Sequence, residues 1–198
     1  MKYVLRFEGG CNNRCIVCTG KQGGQRALRS VADLKDGLGP FCVTSESITS
    51  KSVASESGAL KKQTALESAA IVLRGQEPTI HRDFFAVLET VHRHAQRLGV
   101  EVTEMHTNGR IFCYPETAER VFRLGVTHSV VSLHGGSAAI HQRHTQTPHS
   151  FEQTVAGMEK LVEAGVCVTV RCVVTEINYR ALDGVVALAA AKGCQKIR

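Results

Sequence analysis

The feature that most constrains the fold is a glycine that recurs where one sequence pattern ends and another begins. It occurs in Arg-Leu-Gly-Val at 97–100 and 123–126, in Glu-Ala-Gly-Val at 163–166, and in Ala-Lys-Gly-Cys at 191–194. Glycine adopts the left-handed backbone conformation that closes a helix without a side-chain clash. Each of these glycines is therefore predicted to end a helix and to be followed by a strand.

Amphipathic segments precede these glycines, and short β-rich segments follow them. The predicted helices span residues 84–98, 115–124, 151–164 and 181–192, with a proline in the first turn of the second and a capping box of Ser150 and Gln153 at the third. The predicted strands span residues 3–7, 70–74, 100–107, 127–133 and 166–175. Strands that alternate with helices in this way form βαβ units around a parallel sheet. The predicted fold class is therefore α/β.

Residues 19–68 are the least regular part of the chain. They contain several glycines and a serine-rich stretch at 44–57, and one helix is predicted around 59–68. We expect a long first crossover inside a single domain spanning 1–198, and a solvated loop is favoured over a lid or a partner contact. Residues 195–198 are predicted to open a sixth strand, so we expect a truncated chain whose fifth strand has an unpaired edge.

Three cysteines, Cys11, Cys15 and Cys18, follow the first predicted strand on one loop. Thiolates bind iron-sulfur clusters, zinc or copper(I). Four-iron clusters ordinarily take four cysteines, and structural zinc sites take separated cysteine pairs or cysteines with histidines. Neither pattern is present in the sequence. The spacing suits three irons of a four-iron cube, with the fourth iron left open to another ligand.

Other interpretations of the cysteines compete with this one. A zinc site that borrows one of the nine histidines stays open. A disulfide framework is disfavoured because the chain has 198 residues and because residues 1–10 contain no secretory apolar segment. The five isolated cysteines are interpreted as core or surface thiols: Cys42, Cys113, Cys167, Cys172 and Cys194.

Composition argues against several classes of protein. The chain is 43% apolar and 21% charged, which is typical of a soluble globular domain. No apolar run approaches the roughly 20 residues that cross a bilayer. The net charge of +6 comes from scattered lysines and arginines, and this pattern disfavours nucleic-acid binding. We expect a cytoplasmic protein with reduced thiols.

The CxxxCxxC spacing and the ends of the later strands together resemble the signature of the radical S-adenosylmethionine (radical SAM) enzymes. The strand ends are Gly75-Gln76-Glu77-Pro78, Thr107-Asn108-Gly109 and Ser132-Leu133-His134-Gly135. The resemblance covers nearly the whole chain and implies a partial parallel (βα)6-type barrel, here truncated at the start of strand six. The last strand end and the Ser-Phe-Glu-Gln-Thr helix start look most like the branch of molybdopterin-precursor synthases and peptide-maturation enzymes.

The resemblance implies a [4Fe-4S] cluster held by Cys11, Cys15 and Cys18, whose open iron takes the methionine end of S-adenosylmethionine. The implied reaction is reductive cleavage of the sulfonium to a 5′-deoxyadenosyl radical, which abstracts hydrogen from a substrate. An electron donor such as flavodoxin or ferredoxin is the implied partner. The substrate, a peptide or a small molecule, stays unspecified. The alternative is a non-catalytic cluster-binding protein or an inactive fragment.

The resemblance also implies six residues that bind S-adenosylmethionine: Gly75, Gln76, Glu77, Asn108, Ser132 and Arg171. The carboxylate of Glu77, with the carbonyls around it, suits the methionine ammonium. Arg171 and Ser132 suit the methionine carboxylate and the ribose, since guanidinium binds carboxylate through two parallel hydrogen bonds. Asn108 contacts the cofactor or braces its neighbours. The structural alternative for Arg171 is a salt bridge to Glu104.

The chain departs from the family pattern at two positions. Gln76 stands where the family has a second glycine, and a side chain tolerates a positive φ poorly. Val17 stands where the family usually has an aromatic ring that packs on adenine. Among the histidines, His106 and His134 are expected to be hydrogen-bonded barrel residues. No role is assigned to the histidines predicted in loops or at helix starts: His81, His141, His144 and His149.

Overall fold

The computed structural model describes residues 2–18, 27–39, 42–43 and 69–198. The predicted helix at 59–68 and the serine-rich stretch at 44–57 lie outside these ranges. The described residues form seven strands: β1 (Lys2–Phe7), β2 (Cys42–Val43), β3 (Ala70–Gly75), β4 (Val102–Thr107), β5 (His128–Ser132), β6 (Cys167–Arg171) and β7 (Lys196–Ile197). They also form five α-helices: α1 (Phe84–Leu98), α2 (Pro115–Arg123), α3 (Ala138–Thr145), α4 (Ser150–Glu163) and α5 (Leu182–Ala191).

The strands form one sheet in the order β2-β1-β3-β4-β5-β6-β7. Strands β1 and β3 to β7 are parallel to their neighbours, whereas β2 pairs with β1 in the antiparallel direction. The predicted α/β class and parallel sheet are confirmed. The short strand β2 was not predicted, because two residues inside an irregular crossover carry no periodic signal of their own.

The predicted free edge on the fifth strand is wrong. That strand is β6, and it pairs with β7 through Thr169 opposite Lys196 and Val170 opposite Ile197. The final residue extends the pairing, since the Cys172 backbone N–H donates to the Arg198 carbonyl at 2.9 Å. The edge that sequence reasoning left open is therefore covered by the chain's own last residues. Strand β6 also ends at Arg171, before the predicted residue 175.

Strand β4 alternates between a buried face and a half-buried face. In β4, Thr103, Met105 and Thr107 are buried, whereas Glu104 and His106 are only half-buried. The buried face packs against the helices, with the largest enclosed side chains coming from strands and helices alike: Leu5, Leu73, Met105, Phe84, Leu88 and Leu161. The other face carries the polar residues that reach the carboxyl end of the sheet, where ligands bind in parallel α/β folds.

The helices follow the predicted pattern with two exceptions. Helix α1 matches its predicted bounds, and Gly99 closes it with φ 64°, in the left-handed conformation expected there. Helix α3 was missed because its buried residues include His141, His144 and Thr145, which give no apolar stripe. The predicted capping box at α4 is wrong, since the Ser150 hydroxyl is buried and bonds back to the Thr147 carbonyl at 2.8 Å.

Candidate cofactor site

The three cysteines lie on a loop that leaves the carboxyl end of β1. Cys11 and Cys18 are exposed and Cys15 is half-buried. Two backbone hydrogen bonds of 2.9 Å fasten this loop to the last turn of α3, from Arg14 N–H to the Thr145 carbonyl and from Ile16 N–H to the His144 carbonyl. A loop held at its backbone presents its thiols from a fixed frame, which suits a metal-ligand set.

A third backbone bond fastens the beginning of the loop to the next strand end. The Glu77 N–H donates to the Gly10 carbonyl at 3.2 Å. The segment around Cys11 is therefore tied directly to the end of β3. The three cysteines and the strand-end residues named by the sequence lie at one edge of the sheet.

The surroundings of Cys11 and Cys15 raise the pKa of both thiols and so disfavour the thiolate form when no positive charge is nearby. Burial and, to a lesser extent, the charges of Cys11 and Cys18 raise the pKa of Cys15 to about 11. Burial also raises the pKa of Cys11, partly offset by the N–H of Asn13, which lies 3.4 Å from its sulfur. Cationic metal at the loop would reverse this effect and hold the thiolates.

A single metal ion and an iron-sulfur cluster require different distances between their thiolate ligands. Within the described ranges, no three histidine, cysteine or carboxylate side chains converge closely enough to hold a single metal ion. Thiolates on one zinc ion must lie roughly 3.8 Å apart, given zinc–sulfur bonds of about 2.3 Å in a tetrahedron. Thiolates on three corners of a cube lie farther apart. A cluster and a single zinc ion therefore require different spacings of the three sulfurs, and both interpretations of the loop stay predictions.

Glu77 is more buried and more fully bonded than the sequence suggested. Its side chain is 3% exposed. One oxygen accepts from the hydroxyls of Thr79 and Thr107, both at 2.7 Å, and from the Thr79 N–H at 3.3 Å. The other oxygen accepts from the Asn108 N–H at 2.7 Å. Burial raises the pKa of Glu77 and these donors oppose the rise. The carboxylate thus joins the ends of β3 and β4.

The glycine before it is required by the backbone. Gly75 has φ 144°, and a Cβ built there would lie 2.4 Å from the Phe7 carbonyl oxygen on the paired strand β1. The expected strain at Gln76 is absent, since the described non-glycine residues with positive φ are Gln146 and His149. The positive φ at this strand end is thus that of Gly75, whereas Gln76 is half-buried and has no positive φ.

Asn108 braces the cysteine loop. Its side-chain N–H₂ donates to the Asn12 side-chain oxygen at 2.5 Å and lies 3.8 Å from the Cys11 sulfur. Its side-chain oxygen accepts from the Arg110 N–H at 3.0 Å. These contacts agree with the bracing role, and contact with the cofactor stays a prediction.

Ser132 and Arg171 are brought together as predicted. They lie opposite each other on β5 and β6, and the guanidinium donates to the serine hydroxyl at 3.2 Å. The alternative salt bridge from Arg171 to Glu104 is not formed. Glu104 instead lies 2.6 Å from His106 and 3.8 Å from Arg198, and the hydrogen bond from His106 lowers the pKa of Glu104. Arg171 is exposed at the strand end, available to an anionic ligand.

Three histidines form a buried cluster beside the site, two of them residues to which the sequence assigned no role. His134 stacks on His141 and His144, with ring centroids 5.9 Å and 5.2 Å apart. Burial lowers the pKa of His134 to about 4 and that of His141 to about 3, and it also lowers the pKa of His144. His141 and His144 lie in α3, not in a loop, so they support the helix that holds the cysteine loop.

Arg110 is a site residue that sequence reasoning missed. It begins the short 3₁₀ helix Arg110–Cys113 after β4. Its guanidinium donates to the Asn12 carbonyl, to the Asn13 side-chain oxygen at 2.8 Å and to the Gln153 side-chain oxygen at 2.7 Å. The only available signal was its position directly after the Thr-Asn-Gly strand end. Gln153, expected in a capping box, orients Arg110 instead.

Comparison with models of protein families identifies the family of this chain. The model of the radical SAM superfamily matches residues 6–189, which is most of the chain. The chain belongs to the radical SAM superfamily. The family predicted from the cysteine spacing and the strand ends is therefore confirmed.

Curated relatives of this radical SAM chain include two described as AdoMet-dependent heme synthases. The one from Methanosarcina barkeri is 29% identical over 123 residues, which are 62% of this chain and 34% of that protein. The one from Oleidesulfovibrio alaskensis is 29% identical over 108 residues, which are 54% of this chain and 26% of that protein. The matched segments are thus about a third and about a quarter of the lengths of these two relatives.

Solved structures of radical SAM proteins share the fold. The anSMEcpe protein with bound AdoMet and the Kp18Cys peptide superimposes with a TM-score of 0.67 at 17% identity, over 99% of this chain and 49% of that one. SuiB of Streptococcus suis, bound to its precursor peptide SuiA, gives a TM-score of 0.62 at 16% identity, over 99% of this chain and 38% of that one. The partial-barrel architecture predicted for the chain is confirmed by these likenesses.

No helix among the described residues is long and apolar enough to span a membrane.

Proposed function

We propose that this chain is the core of a radical SAM enzyme that binds a [4Fe-4S] cluster through Cys11, Cys15 and Cys18. The observation that carries the proposal is the cysteine loop itself. It is fastened through backbone hydrogen bonds to α3 and to the end of β3, and the thiols of Cys11 and Cys18 contribute to the raised pKa of Cys15. Membership of the superfamily supports the same assignment.

When bound, the cluster and S-adenosylmethionine supply reductive cleavage of the sulfonium, which yields a 5′-deoxyadenosyl radical able to take hydrogen from a substrate. The protein's part is to bind, orient and exclude competing reactions. Arg171 places a guanidinium at the end of β6, where it suits the methionine carboxylate, and Ser132 holds it in place. Exposure of Arg171 leaves its remaining donors free for that ligand.

The methionine ammonium is assigned to the end of β3. The carbonyls of Gly75 and Gln76 and the negative charge of Glu77 favour a cation there. Because Glu77 is saturated by donors from Thr79, Thr107 and Asn108, we assign it to shape this strand end and to add charge, not to reach the ligand directly. Asn108 is assigned to the cysteine loop that it braces.

The substrate is assigned only by class, as a peptide or a small biosynthetic molecule. SuiB bound to its precursor peptide and anSMEcpe bound to a peptide support the first class, and the curated heme synthases support the second. A low-potential donor of the flavodoxin or ferredoxin kind would deliver the electron. A reducing cytoplasm would suit seven free thiols among the described residues. The non-catalytic alternatives predict a cluster or a zinc ion without cleavage chemistry.

The test is anaerobic reconstitution with iron and sulfide, followed by dithionite and S-adenosylmethionine, with 5′-deoxyadenosine as the product measured. Cys15→Ala removes a proposed ligand, and Cys113→Ala is the matched control because Cys113 lies outside the loop. We expect product from the wild type and from the control, and none from Cys15→Ala. A cluster without product would favour the non-catalytic alternative, and no cluster at all would overturn the proposal.

A further inference from the structure

We propose that Arg110 is a positioning residue that holds the cysteine loop in the geometry needed for cluster binding. The cluster part of this inference rests on the function proposed above. The positioning part concerns the protein alone. The inference rests on the hydrogen bonds that the Arg110 guanidinium donates to residues between Cys11 and Cys15, which lie 97 residues or more before it in the sequence.

The contacts of Arg110 fall on the two residues that follow Cys11. The guanidinium donates to the backbone carbonyl of Asn12 and, at 2.8 Å, to the side-chain oxygen of Asn13. Asn13 is buried, 7% exposed, although it lies on a loop whose neighbours are mostly exposed. A buried amide with a charged donor is held more firmly than one bonded to water.

Both asparagines are connected to the Cys11 sulfur through hydrogen bonds. The Asn13 N–H lies 3.4 Å from it, and Asn12 accepts the amide of Asn108, whose nitrogen lies 3.8 Å from the same atom. Hydrogen bonds to cysteine sulfur are one of the factors that set the reduction potential of an iron-sulfur cluster. Arg110 therefore orients both groups that point an N–H at Cys11 without touching the sulfur itself.

The guanidinium is itself fixed from the opposite side. Its Nε donates at 2.7 Å to the side-chain oxygen of Gln153 in the first turn of α4. The planar donor fork of arginine can serve Gln153 and the two asparagines at once, whereas the ammonium of lysine is a flexible point donor. Lysine is accordingly expected to replace only part of the function.

The experiment compares Arg110→Gln and Arg110→Lys in the full chain, with Arg123→Gln as the matched control. Arg123 lies on α2, is exposed and forms an ion pair with the exposed Glu119 at 3.3 Å. In the iron-free chain we measure hydrogen exchange of the Arg14 and Ile16 amides, which report the fastening of the loop to α3. We expect exchange to speed up by about tenfold or more in Arg110→Gln, less in Arg110→Lys, and not in the control.

In the reconstituted chain we measure the cluster midpoint potential by redox titration. Loss of N–H donors oriented toward Cys11 is expected to make the potential more negative in Arg110→Gln, with Arg110→Lys in between. Unchanged exchange and unchanged potential would overturn the inference. So would faster exchange spread evenly over the whole chain, since that marks a merely structural residue.

The two proposals fail in different ways. If the wild type binds no cluster, the proposed function is wrong, and the exchange measurement on the iron-free chain still decides the positioning role. If Arg110→Gln does not fold, the lysine variant and the variant Gln153→Leu, which removes the acceptor that orients Arg110, take its place with the same expected direction. Wild-type exchange in both variants would count against the proposal.

Discussion

The carboxylate of Glu77 accepts a hydrogen bond of 2.7 Å from the backbone N–H of Asn108, and both residues are buried. This bond joins the end of β3 to the end of β4 at the point where the cysteine loop is also fastened. It explains why a carboxylate stands at this strand end whether or not a ligand is bound. Loss of this carboxylate is therefore expected to destabilise the fold even when no cofactor is bound.

Glu77→Gln is expected to destabilise the chain. An amide has one acceptor oxygen, so at least one of the donors now satisfied by Glu77 is left facing an N–H₂ group. An unsatisfied buried donor costs roughly 1–3 kcal/mol. Urea unfolding of the iron-free chain measures the change, and Glu101→Gln, at an exposed position, is the control expected to change little. Equal stability of the two variants would show that the Glu77 bonds are not needed.

Gly75→Ala is expected to be more damaging than a substitution of another glycine. Its Cβ would lie 2.4 Å from backbone of Phe7, and its φ of 144° disfavours any side chain. Gly184→Ala is the matched control, because the nearest atom to its Cβ is 3.5 Å away and alanine favours a helix interior. We expect lower thermal stability for the first and unchanged or higher stability for the second. The reverse order would contradict the strand-end geometry.

Acid is expected to destabilise the chain through the histidine cluster. His134 and His141 have folded pKa values of about 4 and about 3, below the ordinary value of 6.5. Above pH 6.5 both states are neutral and the cluster costs nothing. As the pH falls below 6.5 the unfolded chain takes up protons that the folded chain does not, so stability falls. A histidine of this kind costs about 2 kcal/mol between pH 6.5 and pH 5.

The substitution His141→Asn tests this pH dependence. The asparagine oxygen can accept from the His134 N–H, as the imidazole nitrogen does now at 3.1 Å, but it does not titrate. We expect a shallower loss of unfolding free energy between pH 7 and pH 5, measured by urea unfolding at each pH. His149→Asn, at an exposed position, is the control. A slope equal to that of the wild type would remove His141 from the explanation.

Arg171→Gln is expected to weaken binding of S-adenosylmethionine to the reconstituted chain. A charged hydrogen bond to a carboxylate contributes roughly 1.5–3 kcal/mol, so the dissociation constant should rise by about tenfold to a hundredfold. Equilibrium dialysis under anaerobic conditions measures the constant. Arg180→Gln is the matched control, because Arg180 is exposed and bonds to its neighbour Tyr179. Equal losses in both variants would point to a general charge effect, not to a site.

Much of the fold was predictable because its signals are local. The bounds of α1, the glycine that closes it and the five parallel strands β1 and β3 to β6 follow from patterns that repeat within a few residues. Helix α3 was not predictable in this way. It buries polar side chains, His141 and His144 among them, and burial of such residues is set by what packs around them.

The candidate site divides in the same manner. The thiol loop of Cys11, Cys15 and Cys18 could be inferred from the sequence because it is one short segment, and period-two alternation placed Arg171 on the polar face of its strand. Its register opposite Ser132 could not be inferred in this way. The role of Glu77 was only half predicted. Its position at a strand end was clear, but two of its four donors, the Thr107 hydroxyl and the Asn108 N–H, come from another strand end about 30 residues along the chain.

By itself, then, the sequence determined the alternation of strands and helices, the parallel sheet and the thiol loop, since each depends on neighbouring residues and on backbone preferences. Only the tertiary structure decided that the Glu77 carboxylate accepts its hydrogen bonds from residues at two strand ends. It also decided that Gln76 has no positive φ and that the Arg110 guanidinium donates hydrogen bonds to Asn12 and Asn13. The physical reason is that hydrogen-bond partners and burial are properties of the assembled sheet edge. Residues far apart in the chain meet there at a register that no local pattern records.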